Sequence, residues 1–509
     1  MGSEVKPGRG GLRTWAQRHL NAGFVVGFFL VLFTYFVVSR QFAISAPNAV
    51  TTNAPRRVAD KQVIRAPGDT EGEEKKRGQE WQPKAEERLL PHQDTSGAVP
   101  AEESPKRDDA DGKPFAAETG KVVCSTHGPY SDTCDLDGDV RVNGTGRSVT
   151  LVPASGQLSE RREWKIQPYP RRHMLGMEDV TVTQLGSPLD AAAAAPAACT
   201  VTHDAPAVLF ALGGLTGNFW HDFSDVLVPL FIASRRFDGE VVFLVSNVQP
   251  WWLGKYEAVV RRLSRYDAVD LDRDTEVRCF RRLTVGLSLH KELSIKPEWA
   301  PGSRRLTMAD FTAFLREAYA LPRAAPALNL AQQPGTRKPR LLIIHRGHYR
   351  RFVNVQEVAR AAEAAGFEAV VKDPRGDAPV AELARAVNAF DVLLGVHGAG
   401  LTNAVFLPAG AVVIQVVPYG NLERMARTDF GEPVADMGLK YLEYSVAKEE
   451  STLLEMLGPD HPVIKDPESV HRSGWDKVAE FYLGKQDVRI NVTRFAPTLQ
   501  QAMQHLRRQ

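Results

Sequence analysis

Apolar positions in this chain come in short continuous blocks separated by stretches with helical spacing. "PAVLFAL" (206–212) and "EVVFLVS" (240–246) are unbroken apolar runs of strand length. Such runs predict strands buried on both faces. Between them, "NFWHDFSDVLVPLFIASRRF" repeats its apolar residues at helical spacing. "KYEAVVRRLS" and "MADFTAFLREAYAL" read as further helices, the second with Phe311, Phe314, Leu315 and Ala318 on one face. A polar, proline-rich break covers 322–339, and the alternation then restarts. "RLLIIH" (340–345) is a strand. Asn354 is placed to cap the helix "VQEVARAAEAAGF", which Gly366 stops. "EAVVKD" is a strand, "VAELARAVNAF" a helix, and "DVLLGVH" and "AVVIQVVP" two more strands. "SVHRSGWDKVAEFYL" and "TRFAPTLQQAMQHLRRQ" supply late helices. Strands alternating with helices predict an α/β protein with parallel sheets, here as two Rossmann-like halves, 121–325 and 338–509.

The N-terminus has a different pattern. "AGFVVGFFLVLFTYFVV", 22–38, is uncharged and apolar, and Lys6, Arg9, Arg13, Arg18 and His19 precede it. A run of this length sits at the short end of a bilayer span. Positive charge before it predicts a cytoplasmic tail, 1–21, and a luminal body. A cleaved signal peptide is the rival, with Ala43 and Ser45 as a small-x-small pair. The long leader and the length of the run favour an anchor. A short, Phe-rich span suits a thin membrane of the early secretory pathway or Golgi. From 39 to 120 the chain is charged, proline-bearing and almost without aromatics. It cannot bury enough apolar surface to offset its ordering entropy, and reads as a disordered stem.

Composition adds little except by exclusion. A net charge of +2 over 509 residues gives no reason to propose a nucleic-acid partner. Two sequons, at Asn143 and Asn491, fit a luminal body. Cys124, Cys134, Cys199 and Cys279 all lie beyond the anchor, where an oxidising lumen permits two disulfides. Cys124 with Cys134 is the favoured local pair, which leaves Cys199 with Cys279. The spacing is not that of a zinc site.

Three segments carry candidate chemistry. "GVHGAGLTN" (395–403) follows a buried strand, and a helix is expected from about Leu401. Its glycines leave room for close backbone approach, and a helix N-terminus favours anions. Gly398, Ala399, Gly400, Leu401 and Asn403 therefore read as a phosphate cradle, and His397 as a contact to phosphate or substrate. "HRGHYRRFVN" (345–354) follows another strand of the same half. Arg346, Arg350 and Arg351 cluster there, and guanidinium groups bind phosphate in two-pronged fashion. The third segment, "GGLTGNFWHDFSDVLVP" (213–229), lies in the first half. His221 and Asp225 are four apart on one helical face. Either could be the general base, with the Asp orienting the imidazole in one case. Gly214, Gly217, Asn218 and Asp222 complete an acceptor-side cleft. D-x-D triplets at 135–139 and 270–272 read as acidic turns, and Trp251 and Trp252 as a sugar platform or as core.

Taken together, "WHDFSDVLVPLF", "CFRRLTVGL", the paired "LLIIHR" and "RRFVN", "GFEAVV", "GVHGAGLTN" and "QDVRINVTRF" resemble glycosyltransferase family 61. The plant branch that decorates xylan in the Golgi is the nearest in pattern. The resemblance runs from about Cys124 to the C-terminus. It implies a GT-B architecture, with two Rossmann-like domains facing across a cleft. It implies an inverting, UDP-sugar-dependent transferase, with arabinofuranose or xylose as the sugar and xylan as acceptor, and with no required metal or cofactor. The family's H-x-F-x-D falls on His221, Phe223 and Asp225, its donor-side arginine on Arg346, and its HGAGL on His397 to Leu401. Two positions depart from the pattern. His345 stands where a serine is usual, and Gln415 where an acidic residue is expected. Two rivals stay open: a xylosyltransferase acting on N-glycan cores, and a catalytically silent Golgi partner of another transferase. Assembly with itself or with other transferases stays open too.

Overall fold

A computed structural model describes residues 120–126, 130–153, 160–186, 197–302, 305–326, 337–373 and 378–508. The expected tail, the span at 22–38 and the stem up to residue 119 lie outside these. Among the described residues, no helix is long and apolar enough to cross a membrane.

The second half is built as its sequence pattern predicts. Five parallel strands form one sheet: β11 (Arg340–Ile344), β12 (Glu368–Lys372), β13 (Val392–Val396), β14 (Val412–Val417) and β15 (Lys440–Ser445). β13 and β14 are buried along their whole length, which is why they read as continuous apolar runs. β15 (KYLEYS) is an edge strand that alternates buried and half-buried residues, and the search for apolar runs misses it. The spatial order is β12-β11-β13-β14-β15. The order in which strands are added therefore reverses between β11 and β13, and in such sheets ligands bind at the carboxyl ends of the strands flanking this switch point. Those ends are His345–Arg346 and His397–Gly398. One expected cap is corrected. Asn354 does not cap the following helix, because its side chain bonds both N–H and C=O of Ile490 instead.

The first half departs from the expected parallel sheet. It is a ten-stranded mixed sheet. β7 (Ala207–Ala211), β8 (Val242–Ser246), β9 (Val269–Asp270) and the end of β10 (Val277–Val285) form its main parallel part. β1 (Lys121–Ser125) and β2 (Thr133–Asn143) pair antiparallel, and β2 runs antiparallel to β10. β3 (Ser148–Val152), β4 (Arg162–Ile166) and β5 (Val180–Gln184) extend this edge. The signal for β2 is alternation, not a run. Cys134, Leu136, Val140 and Val142 point inward. Asp135, Asp137 and Asp139 point outward, bonded to Thr284, Arg282 and Arg141. The first D-x-D triplet is thus a strand face, not a turn. Asp272 of the second accepts from Val248 N–H in a loop, as an acidic turn would.

Disulfides join Cys124 to Cys134 and Cys199 to Cys279. The first links residues directly opposite on β1 and β2, and the second fastens the segment before β6 (Val201–Thr202) to β10. The two halves share one apolar core. Phe223 meets Phe406 edge to face at 5.8 Å across their junction. Such a pair contributes ~1 kcal/mol beyond its buried area. This contact brings the helical run of the first half against the helical turn that follows β13.

Candidate active site

The helical run after β7 opens with Phe219–His221, continues as a π-helical segment Asp222–Leu227, and returns to α-helix at Val228–Ser234. In the π segment Val228 N–H reaches back five residues, to Phe223 C=O. Pro229 explains the widening. Its ring would clash with the carbonyl of residue 225, four back, in a regular helix. The same device recurs in the second half. The π segment Arg427–Gly431 precedes Pro433, and the carbonyl four residues back belongs to Asp429. Both widened turns carry an aspartate of the candidate site, in the shared pattern D-x-x-x-P.

Asp225 and His221 are both buried. His221 Nδ1 lies 2.9 Å from Asp225 Oδ2. The same oxygen accepts from the Tyr169 hydroxyl at 2.9 Å and from Arg171 Nε at 2.9 Å. Arg171 Nη2 reaches the other carboxylate oxygen at 2.8 Å. Burial alone would disfavour the charged carboxyl. The charges of Arg171 and His221, with their hydrogen bonds, outweigh it and hold Asp225 well below the usual carboxylate range. An ionised carboxylate only accepts, so Nδ1 carries the ring proton and Nε2 is the acceptor nitrogen of His221. Asp225 is enclosed, with Oδ2 accepting from Tyr169 and Arg171 and lying against His221, and Oδ1 facing the Arg171 guanidinium. It orients the imidazole, with Nε2 as the proton-accepting atom of the pair.

Asp222 is also fully buried, for a different purpose. Its carboxylate accepts from Gly217 N at 2.8 Å, Trp252 Nε1 at 2.9 Å, Lys255 Nζ at 2.9 Å and Tyr256 OH at 2.7 Å. Both oxygens are taken, so the expected acceptor contact by Asp222 is withdrawn. The residue ties the glycine loop to the next helices. Asn218 caps the helical run by accepting from Trp220 N at 3.0 Å. Gly214 and Gly217 remain exposed on the loop surface. At Gly214 (φ 53°) a Cβ would lie 3.0 Å from the Tyr169 ring, so glycine lets Tyr169 reach Asp225 beneath the loop. Trp252 is core, while Trp251 is 48% exposed beside Gly217.

In the second half the two arginines converge as the sequence suggests. At Gly398 (φ 138°) a Cβ would overlap Arg346 Nη1 and lie 2.8 Å from Arg350 Nη1. Arg350 Nη1 also donates to His397 C=O at 2.9 Å. Arg351 is the exception, since it pairs with Asp487 at 2.6 Å and belongs to the frame. The helix expected from Leu401 is a 3₁₀ turn, Ala399–Phe406, starting after Gly398. Ala399 and Gly400 are half-buried at its start. Leu401 and Asn403 are corrected. Leu401 is buried in the shared core with its N–H on Gly398 C=O, and the buried Asn403 amide donates to Gly400 C=O. Both shape the turn from inside.

His397 is buried too, with contrasting partners. Gln415 Nε2 sits 2.7 Å from Nδ1, and the Tyr441 hydroxyl 3.0 Å from Gln415 Oε1. Nδ1 is then the acceptor, and Nε2 faces Asp429 Oδ2 at 3.8 Å. Burial, then the charges of Arg350 and Arg346, push the imidazole down to about 3. Gln415, at the position where an acidic residue is expected, fixes this neutral ring. The two halves of the site meet at Trp220, whose indole N–H points to Asp429 C=O at 3.4 Å and whose ring packs against His221.

Sequence reasoning misses Tyr169, Arg171, Glu292, Trp220 and Asp429. The first three lie in irregular segments with no periodic signal. Trp220 lies within the helical run already read from the sequence, and Asp429 carries a readable mark, the proline four residues on. Among the described residues, the grouping with ligand-like spacing for a metal is Asp139 with Cys199 and Cys279, and the two cysteines are bonded to each other.

A family model described as Glycosyltransferase 61 matches residues 219–414, from the start of the His221 helix to the strand that bears Gln415. A beta-1,2-xylosyltransferase of Oryza sativa subsp. japonica is 44% identical over 402 residues, covering 75% of this chain and 84% of its own. An alpha-1,3-arabinosyltransferase of the same organism is 42% identical over 391 residues, covering 76% and 66%. A xylan glycosyltransferase of Arabidopsis thaliana is 33% identical over 393 residues, covering 74% and 78%.

Proposed function

The chain belongs to glycosyltransferase family 61, and we propose that it moves a pentose, arabinofuranose or xylose, from a UDP-sugar to a xylan backbone or its side chains. The relatives named above carry xylosyl- or arabinosyltransferase activity in their names, which supports a pentose donor. The observation that carries the mechanism is the pairing of two unlike ends: a carboxylate-oriented histidine in one half and two arginines on a glycine turn in the other.

The UDP diphosphate lies on Arg346, Arg350 and the 398–400 turn, at the switch point of the parallel sheet. The acceptor hydroxyl approaches from the Gly214–Asn218 loop and gives its proton to His221 Nε2. Its oxygen attacks the anomeric carbon opposite the departing UDP, so configuration inverts in one displacement. Asp225 stabilises the imidazolium that forms. The two guanidinium groups neutralise the leaving diphosphate, a task a divalent metal would otherwise perform. The two halves act as a GT-B pair around this cleft. In the cell the body is luminal, held in a Golgi membrane by the single span at 22–38 and a stem, with glycans on Asn143 and Asn491.

One assay tests this reading. The full chain is given UDP-arabinofuranose, UDP-xylose or UDP-N-acetylglucosamine, with xylo-oligosaccharides or an N-glycan core as acceptor, with and without chelator. The expected result is chelator-resistant pentose transfer to xylo-oligosaccharide with inverted configuration. Transfer only to the N-glycan core, or no turnover of any donor, selects one of the rival readings. Loss of activity to chelator overturns the metal-free mechanism.

A further inference from the structure

Behind the His221–Asp225 pair lies a second ion pair. Arg171 uses three guanidinium nitrogens on two carboxylates. Nε and Nη2 hold Asp225, at 2.9 and 2.8 Å. Nη1 and Nη2 hold Glu292, at 3.1 and 2.6 Å. Glu292 in turn accepts from Ser224 Oγ at 3.2 Å, and Ser224 sits beside Asp225 in the π segment. Side chains of Arg171 and Glu292 are each 11% exposed. The row His221–Asp225–Arg171–Glu292 thus alternates base, anion, cation and anion in a largely dry setting. Charges act over longer range there than at a surface.

We propose that Arg171 and Glu292 are positioning residues that tune the basicity of His221 through Asp225, and that they do so with opposite sign. The inference rests on the reading of His221 as base. Arg171 spreads the negative charge of Asp225 over a second partner, which weakens the stabilisation of the His221 imidazolium. Glu292 draws Arg171 away from Asp225 and restores part of that stabilisation. The bidentate geometry also fixes the plane of the Asp225 carboxylate, and so the direction of Nε2.

Other charged and titratable groups around the ring bear on its titration. Tyr169 bonds Asp225 and stays neutral, because burial, then Asp225, raises its phenol well above its ordinary value. Tyr130 is close enough to Glu292 and Arg171 to feel both. Asp222, next to His221 in sequence, is matched by Lys255 at 2.9 Å. Across the junction Asp429 and the neutral His397 face Trp220 from the second half, with Arg346 and Arg350 behind them. None of these carries a charge that either substitution below would alter.

The test is the pH dependence of kcat/KM for the full chain carrying Arg171→Met or Glu292→Gln. In Arg171→Met the acid limb is expected to move up by about 1 pH unit, and in Glu292→Gln to move down by a smaller step. The change falls in kcat, with donor KM within about threefold, because neither residue reaches the diphosphate side. Should Arg171→Met fail to fold, as seen in its thermal transition, Arg171→Lys and Glu292→Gln decide. The lysine keeps the charge and leaves the limb in place while lowering kcat. Limbs that stay fixed, or move the same way in the two neutralising variants, overturn the proposal. His221→Gln separates the layers. If it keeps turnover, the base reading itself fails. If it loses turnover while the limbs of the other variants do not diverge, only the tuning fails.

Discussion

Each half of the molecule buries one histidine at the candidate site, and the two are set up for opposite tasks. His221 faces an ionised carboxylate, so a proton arriving on its ring is stabilised. His397 has an amide on Nδ1 and Asp429 3.8 Å from Nε2, but burial and then the charges of Arg350 and Arg346 oppose a proton on its ring. Burial is nearly equal, with His221 at 1% and His397 at 4% exposure. Desolvation therefore cannot account for the contrast. The charge of the surrounding groups decides which imidazole can hold a proton and which stays neutral. The same lesson separates Asp222 from Asp225. Both are buried on one helical turn, but one bonds backbone and core side chains while the other faces a histidine and an arginine.

Several substitutions break or sharpen this contrast. The largest effect is expected at His221. His221→Gln keeps the size and polarity of the side chain but removes the base, and kcat should fall by roughly 10²–10⁴-fold. Single-turnover transfer to xylo-oligosaccharide reads this loss. Next, Arg346→Met should weaken UDP by about 10–100-fold, the worth of lost charge-assisted hydrogen bonds, and calorimetric titration of UDP measures it. A smaller change is expected from Gln415→Glu. It sets a carboxylate against His397 Nδ1 and raises that imidazole from about 3 toward its ordinary range. UDP affinity should then gain a pH inflection between 5 and 7 that the parent lacks.

The smallest effect is on stability. Burial lowers His397 to about 3 and His290 to about 4. The unfolded chain takes up these protons near 6.5, the folded chain only far lower. Stability is therefore fully present above about pH 6.5 and falls as pH drops toward 4. Melting temperature measured over that range should decline, and His397→Gln should flatten the decline. An unchanged slope in that variant contradicts the burial of a neutral His397.

The two halves also differ in how much of them a reader of the sequence can see. Runs such as "DVLLGV" and "VVIQVV" announce strands buried on both faces, so four of the five strands of the second sheet are legible, and with them the switch point and its two loops. The edge of the first sheet is written in alternation, as in "TCDLDGDVRVN", where acidic residues hide the strand from a search for apolar runs. The site follows suit. His221, Asp225, Arg346 and Gly398 are visible because helical spacing or a strand end brackets them. Arg171 and Glu292 are not, since they come from loops 121 residues apart and are brought together only by the folded sheet. The inward turn of Leu401, Asn403 and Asp222 was equally hidden. Sequence position marks the loop, but backbone geometry decides which face of it meets the ligand.

The division of labour between the halves has one direct test, UDP binding and transfer measured together on the full chain carrying Asp225→Asn. The neutral amide can no longer hold the His221 proton in place, while every group around Gly398 is untouched. UDP should bind within about threefold of the parent, and transfer should be lost by roughly 10²-fold or more. Transfer at the parental rate, or UDP binding lost along with it, would contradict the assignment of base and donor site to opposite halves.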